Sequence, residues 1–526
     1  MYKDSQFGSR QTVSRTNIRL IASILAAAFF VFILTGCSGT TGEEDDLSFL
    51  EEYEPAEKLE HAVVKFLFPG SEPKNWKNVK AELDKRTSNA INVSLDFKWI
   101  EFSQYLETVK TIGASNEIYD AFIVSKPEPF YPDFTALARE GRLKDISDIF
   151  PSSAPLLFSK YSSEELKYAS VDNKLYAVPS LYPWARCAYL IVDDTLLRKY
   201  NLPDITDYEN YELFLKTIKD NEPDLTPGTI ANRVSTINLF ARASSYVIAD
   251  ESKNLVYKWD DPEMKLIPWE KTPEFYEIIN YAIDWYRKGY LVYEPELMKT
   301  ASFIDEGQLT PPTEETSTMT FSSSDTQKIE QSNPMRAFHL YPEMQVQRDN
   351  PMGDFYYNGS FVFPAASGNT ERALQFLEWV QHSRENYYLL MHGIEDEDYI
   401  LTDGIPALPQ GMDFFSSSYM YWDGCWAFEN LEYEPQVPVY AESGTEMTFG
   451  EFLDRYSKYP PHGAFYPNYG AMQQGADERA RIFKEFEYNL GHGKILNTAE
   501  VDAFIKRLDE LGSDELAAEI HEQMMR

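Results

Sequence analysis

Few residues of this chain are spaced for covalent chemistry. It holds no GxSxG elbow to raise a nucleophilic serine, no HExxH pair, no GxGxxG turn and no glycine loop to cradle phosphate. The histidines (His61, His339, His382, His392, His462, His492, His521) fall at no ligand spacing, so no histidine metal site is expected, while a calcium ion in a loop stays open; no cofactor is expected. Carboxylate pairs for glycoside hydrolysis stay open, because 84 acidic residues supply many chance pairs. The conspicuous chemistry is aromatic: 15% of residues, with 35 tyrosines and 9 tryptophans. Rings on helical stripes, such as Phe214, Phe275 and Trp379, read as core. Others stand in turns flanked by proline or glycine: Tyr182 and Trp184; Tyr356 and Tyr357; Tyr421, Trp422 and Trp426; Phe465, Tyr466 and Tyr469. Such rings can stack on the C–H faces of sugars while nearby polar side chains take the hydroxyls.

A second reactive position is Cys37, in Leu34-Thr35-Gly36-Cys37. A basic segment (Lys3, Arg10, Arg15, Arg19) and an apolar run from Leu20 to Leu34 precede it. That order is a secretory signal peptide, and the run is short for a transmembrane helix. Small residues before the cysteine resemble a bacterial lipobox, which implies cleavage before Cys37 and lipidation of its thiol. Each buried CH₂ of an acyl chain contributes about 0.8 kcal/mol, so a multiply acylated cysteine anchors firmly. The expected location is the extracellular face of the cytoplasmic membrane. Residues 1–36 would be the leader and 37–60 an acidic spacer.

The charge balance narrows the partners. Lys plus Arg is 48 against 84 for Asp plus Glu, a formal charge of −36. Such a surface repels phosphate backbones, and no nucleic-acid partner is expected. Cys187 and Cys425 sit in apolar, aromatic sequence and read as buried free thiols, although a pairing between them stays open.

The elements that must position these residues begin with a β-α-β-α-β pattern. His61 to Phe68 reads as a strand, Asn75 to Ser88 as a helix with Trp76, Val79 and Leu83 inward, and Ile91 to Trp99 as an alternating strand. A helix from Glu101 to Gly113 and a strand from Asp120 to Val124 complete it. Strands joined by helical crossovers lie parallel, and ligands of such sheets bind beyond the carboxyl ends. The turns after Phe68 and Val124 therefore become candidate rims. Lys174 to Pro179 and Ala188 to Val192 read as further strands, and residues 301–335 as a Ser/Thr/Pro-rich loop. Helices are expected after Asp207, from Pro273 to Gly289 and from Thr370 to Ser383, with a largely helical C-terminal stretch. No internal repeat is visible. So long a chain suits two lobes rather than one core.

Several segments together resemble the family 1 extracellular solute-binding proteins, the sugar-binding lipoproteins of ABC importers, and within it the large LipO-like subgroup with an added C-terminal region. They are the Asp120–Val124 strand, Gly141-Arg142-Leu143-Lys144-Asp145-Ile146, Asn173 to Pro179, Trp285-Tyr286-Arg287-Lys288-Gly289-Tyr290, Asn358 to Pro364, Glu371 to Trp379, Asn386 to Glu395 and Trp426-Ala427-Phe428-Glu429-Asn430. Each is weak alone; their order and spacing span most of residues 60–525. One departure stands out: Glu429 replaces a residue that is usually small in the subgroup, which bears on ligand choice if that turn lines the cleft.

The resemblance implies an α/β, two-lobed periplasmic-binding-protein-like fold of type II, with a hinge of several crossing segments. The first lobe would take 61–180, the second 181–352, with a return to the first over 353–410. Residues 411–526 would finish the second lobe and form the C-terminal helical region. One hinge strand is expected near Val178 to Ser180, and the return over Met352 to Asn358. The implied protein is a monomer that binds a carbohydrate ligand, delivers it to ABC permease subunits, and catalyses nothing. Alternatives are a sensory lipoprotein, a binder of a non-sugar solute such as a peptide, and an exported carbohydrate-active enzyme. Candidate ligand contacts are Ser71, Asp120 and Ser125 from the first lobe. From the second lobe and the crossings they are Tyr182, Trp184, Arg186, Tyr357, Asn358, Trp422, Trp426 and Asn430. Trp184 and Trp422 are the first choices for stacking platforms.

Overall fold

The computed structural model describes residues 59–112, 118–124, 131–132, 134–182, 186–205, 207–230, 246–293, 299–310, 320–322, 338–342, 359–402, 404–412, 416–420, 422–434, 439–440, 446–456 and 460–526. The opening pattern is present as strand Ala62–Pro69, helix Trp76–Ile91, strand Val93–Ile100, helix Phe102–Thr111 and strand Ala121–Val124. Trp76, Val79, Leu83, Thr87 and Ile91 form the buried face of the first helix. That helix claims Ile91, which sequence alternation assigns to the strand. Asn92 then turns the chain with φ 49°, a left-handed conformation that asparagine tolerates.

Both crossovers give parallel pairs, with Ala62 opposite Val93 and Phe66 opposite Ala121. The five-stranded order is Val93–Ile100, Ala62–Pro69, Ala121–Val124, Ser360–Val362, Ala177–Pro179. Ser360–Val362 is antiparallel to both of its neighbours. The last strand therefore points the same way as the first three. Pro69, Ile100, Val124, Pro179 and the start of Ser360–Val362 consequently share one edge of the sheet.

A second body is built on Arg186–Asp193, which pairs antiparallel with Ser302–Thr310 and with Phe338–Pro342. Thr320–Ser322 adds an outer strand, so the expected loop over 301–335 contains two strands. Polar, glycine-containing sequence gives little local β signal here; pairing with distant neighbours overrides it. Helix Pro273–Lys288 has the expected ends: the Thr272 hydroxyl accepts the Phe275 N–H at 3.2 Å, and Gly289 closes it. Its Phe275 packs with Phe483, Phe486 and Phe504 of the C-terminal helices Gln473–Gly491 and Thr498–Asp509.

A small antiparallel sheet of Tyr246–Asp250, Leu255–Lys258 and Ile267–Pro268 joins this body. Arg479 ties it to the C-terminal helices. Its guanidinium grips Glu270 through two bonds of 2.7 and 2.6 Å and also donates to Ser513 Oγ and the Lys253 carbonyl. Both partners are almost fully buried. With four of the five guanidinium N–H donors engaged, the pair fixes how the helices dock; stranding either charge would cost about 3–5 kcal/mol.

The chain leaves the first sheet after Pro179, where a hinge strand is expected, and returns between Pro342 and Ser360. The expected return segment, 352–358, lies outside the described residues. Residues 416–420 and 422–434 pack against the first sheet and its helices. The Tyr419 hydroxyl and the Trp422 indole both donate to the Leu390 carbonyl, at 2.9 and 3.0 Å. Aromatic burial holds this segment past the expected boundary at 410.

Candidate functional site

The segment Trp422–Asn430 lies across the shared edge of the five-stranded sheet, following its strand order. At one end the Asp423 carboxylate accepts the Ser71 N–H at 2.9 Å, and the Asp423 carbonyl accepts the Trp99 indole N–H at 3.0 Å. Gly424 rests on Phe68. The short 3₁₀ turn Cys425–Phe428 crosses Gly359. At the other end the Glu429 carbonyl accepts the Leu181 N–H at 2.9 Å, beyond the Ala177–Pro179 strand. Three contact points need glycine, among them Gly424 (φ 100°), where a Cβ would fall 2.7 Å from the Phe68 ring. A Cβ on Gly70 (φ 104°) would fall 2.2 Å from the Asp423 Cβ, and one on Gly359 (φ 83°) 2.6 Å from the Trp426 ring.

The segment leaves Asp423, Cys425, Trp426 and Glu429 partly exposed along the edge. The Trp426 ring lies nearly parallel to Phe102, with centroids 6.3 Å apart and 19° between planes. Phe102 opens the helix after the second strand and is itself exposed. The Ser71 hydroxyl reaches Glu101 at 3.5 Å. Tyr131 stands close enough to Asp423 that burial and then this carboxylate raise its phenol pKa. Tyr182, at the Pro179 end, feels Glu429 and Glu434 in the same way, after the larger effect of burial.

Glu429 is the unusual group. Burial, followed by the nearby Glu434 carboxylate, lifts its pKa from 4.5 to about 8. At neutral pH it keeps its proton and can donate a hydrogen bond. Glu434 is pushed up too, chiefly by burial, while it accepts the Tyr387 hydroxyl at 2.6 Å. Burial raises the Cys425 thiol, with Glu429, Glu434 and Asp423 adding to it, so this cysteine stays a neutral, unreactive thiol. Among the described residues, no group of three or more His, Cys, Asp or Glu side chains is placed to hold a metal ion.

Of the residues expected at the site, Ser71, Tyr182 and Trp426 stand at this edge. Three others do not face it. Trp422 is 4% exposed, with Phe68 edge-on at 5.1 Å and Trp99 at 5.8 Å, and its indole N–H is consumed by Leu390. It is a core ring that pins the segment. Asp120 lies at the opposite end of its strand, where its carboxylate takes the Lys65 N–H, the Ser367 hydroxyl and the Asn369 amide. Asn430 is buried, bonded to Gln381 and to the Glu432 N–H, and shapes the turn. Ser125, Trp184, Tyr357 and Asn358 lie outside the described residues, as do Cys37 and the side chains of Arg186 and Cys187. Asp423, Phe102 and Tyr131 were not anticipated. The Asp-Gly turn after Trp422 was the available sign of the first.

Solved structures share this architecture. The N-glycan transport solute binding protein NgtS of Streptococcus pneumoniae superposes with a TM-score of 0.69, at 17% identity, over 88% of this chain and 98% of that one. The fold is therefore that of the type II solute-binding proteins. A human-milk-oligosaccharide-binding solute binding protein of Bifidobacterium longum infantis matches over 88% and 98%, with a TM-score of 0.55 and 14% identity. The S. pneumoniae binding protein FusA matches over 88% and 99%, also at 0.55, with 13% identity. Among curated proteins, a carbohydrate ABC transporter substrate-binding protein of S. pneumoniae serotype 4 is 24% identical over 260 residues, 49% of each chain. The chain thus spans about half the length of that relative. No family model matches the chain.

The Glu429 shift carries a pH signature. Below about pH 4.5 folded and unfolded chains both hold this proton; between there and about pH 8 the unfolded chain ionises first, so native stability falls as pH rises. Glu429→Gln removes that loss. Denaturant unfolding should show the variant gaining on the wild type across this window, by an amount on the order of a few kcal/mol, with no further gain above it. Parallel stability curves from pH 5 to pH 8 would contradict the assignment.

Proposed function

We propose that this chain captures an oligosaccharide between its two lobes and delivers it to an ABC importer, making and breaking no covalent bond. The observation that carries this reading is Trp426, partly exposed on the segment that crosses the carboxyl edge of the sheet, with a carboxylate on one side and a protonated carboxyl on the other. A ring platform takes the C–H face of a sugar, while Asp423 accepts and Glu429 donates hydrogen bonds to its hydroxyls. Fold relatives described as N-glycan transport, milk-oligosaccharide-binding and kestose-bound proteins support the same ligand class.

The test is calorimetry over a panel of neutral oligosaccharides that includes kestose and mannose–N-acetylglucosamine saccharides. Losing a stacked ring costs on the order of 1 kcal/mol beyond its area, so Trp426→Ala should weaken the best ligand roughly tenfold or more without unfolding the protein. Wild-type affinity in that variant would place the platform elsewhere. Cleavage products in the same incubations would overturn the non-enzymatic reading.

Anchoring through Cys37 belongs to the same proposal. It rests on Leu34-Thr35-Gly36-Cys37; among the described residues, no helix is long and apolar enough to cross a membrane. Cys37→Ala should shed the protein into the medium or leave the precursor uncleaved. An unaltered membrane fraction that still needs detergent for release would speak against lipidation.

A further inference from the structure

Phe465 and Tyr466 are neighbours in sequence but pack on different lobes. Phe465 joins the second-lobe cluster of Val247, Leu255, Tyr257 and Leu266. The residues around it are fastened to the same lobe. His462 Nδ1 shares a hydrogen bond of 2.7 Å with the Tyr257 hydroxyl, and Asn468 exchanges two backbone bonds with the Gln523 amide, at 3.0 and 2.8 Å. Tyr466 turns the other way. Its ring meets Phe134 of the first lobe edge-on at 5.6 Å, and its hydroxyl donates to the Tyr168 carbonyl at 2.6 Å.

Arg139, from the same short helix as Phe134, completes the contact. It donates to the Tyr466 carbonyl at 2.8 Å and to the Pro467 carbonyl at 3.0 Å. Asp172, 3.5 Å from its Nε, steadies the guanidinium from within the first lobe. Prolines at 460, 461 and 467 restrict the backbone of the connecting stretch.

We infer that residues 460–469, where the chain enters the second lobe after its last passage from the first, form a clasp that links the two lobes without ligand. Rotation about the crossings has to part Arg139, Phe134 and Tyr168 from Tyr466 and Pro467, or else pull Phe465 out of the second-lobe cluster. Three hydrogen bonds, two of them from a charged donor, and one ring contact favour the linked state. At ordinary net values, their loss shifts the linked-to-parted ratio on the order of a hundredfold. The clasp would hold the resting lobes near one angle, and ligand access would wait on its release.

This inference does not depend on the identity of the ligand, so its test uses ligand-free protein and reads independently of the binding proposal. Small-angle scattering on the whole mature chain should give a larger radius of gyration for Arg139→Ala/Tyr466→Ala than for the wild type. Tyr466→Phe with Arg139→Lys keeps the ring on Phe134 and the positive charge but loses the Tyr168 bond and the two-pronged grip. This milder pair should give a smaller increase with an unchanged melting profile, and it serves if the alanine pair does not fold. An unchanged radius in folded variants would overturn the clasp.

Discussion

The structure depends on how closely Trp422–Asn430 approaches the carboxyl edge of the first sheet. Gly70 and Gly359 permit the approach, and the Ser71–Asp423 hydrogen bond seals it between residues 352 positions apart in sequence. Beneath the segment, Trp422 and Phe428 join a ring cluster with Phe68, Phe97, Phe361 and Phe376. Each such ring buries a large apolar area. Tight packing under the segment is what keeps Trp426 and Glu429 in place above it, so the core and the site are two faces of the same nine-residue stretch.

That placement has an electrostatic cost. Glu429 and Glu434 share a poorly solvated corner near Tyr182, where neither carboxyl ionises at its ordinary pKa. A fold selected for stability alone gains nothing from this. Under the proposed function the arrangement has a use: a protonated carboxyl donates where a carboxylate can only accept, and with Asp423 at the far end the segment offers both bond polarities to an extended ligand.

What could be read from the sequence follows the range of the interactions. The opening β-α-β-α-β unit, the Pro273–Lys288 helix and its caps, and the strand ending at Pro179 are written in local periodicity and end signals. Ser302–Thr310 reads as loop in local sequence because its partners, Arg186–Asp193 and Thr229–Ile230, are remote. Trp422 and Trp426 stand four residues apart in the same turn-rich stretch, and composition alone does not separate them. One is buried because Phe68 and Trp99 reach it from distant strands; the other, beside Gly359 and Phe102 at the sheet edge, stays partly exposed. Asp120 opens a strand, and strand direction places it at the edge opposite the Trp422–Asn430 segment. The departure at Glu429 was visible in the sequence, while its raised pKa depends on Glu434 and on burial that only the folded chain supplies.

The most direct measurement is a crystal structure of the protein with the tightest-binding oligosaccharide from a neutral panel. The account predicts a sugar ring parallel to Trp426 at van der Waals separation, about 3.5–4.0 Å between carbons, with hydroxyls bonded to Asp423 or Glu429. A ligand bound away from the Asp423–Glu429 segment, with Trp426 still bare, would contradict it.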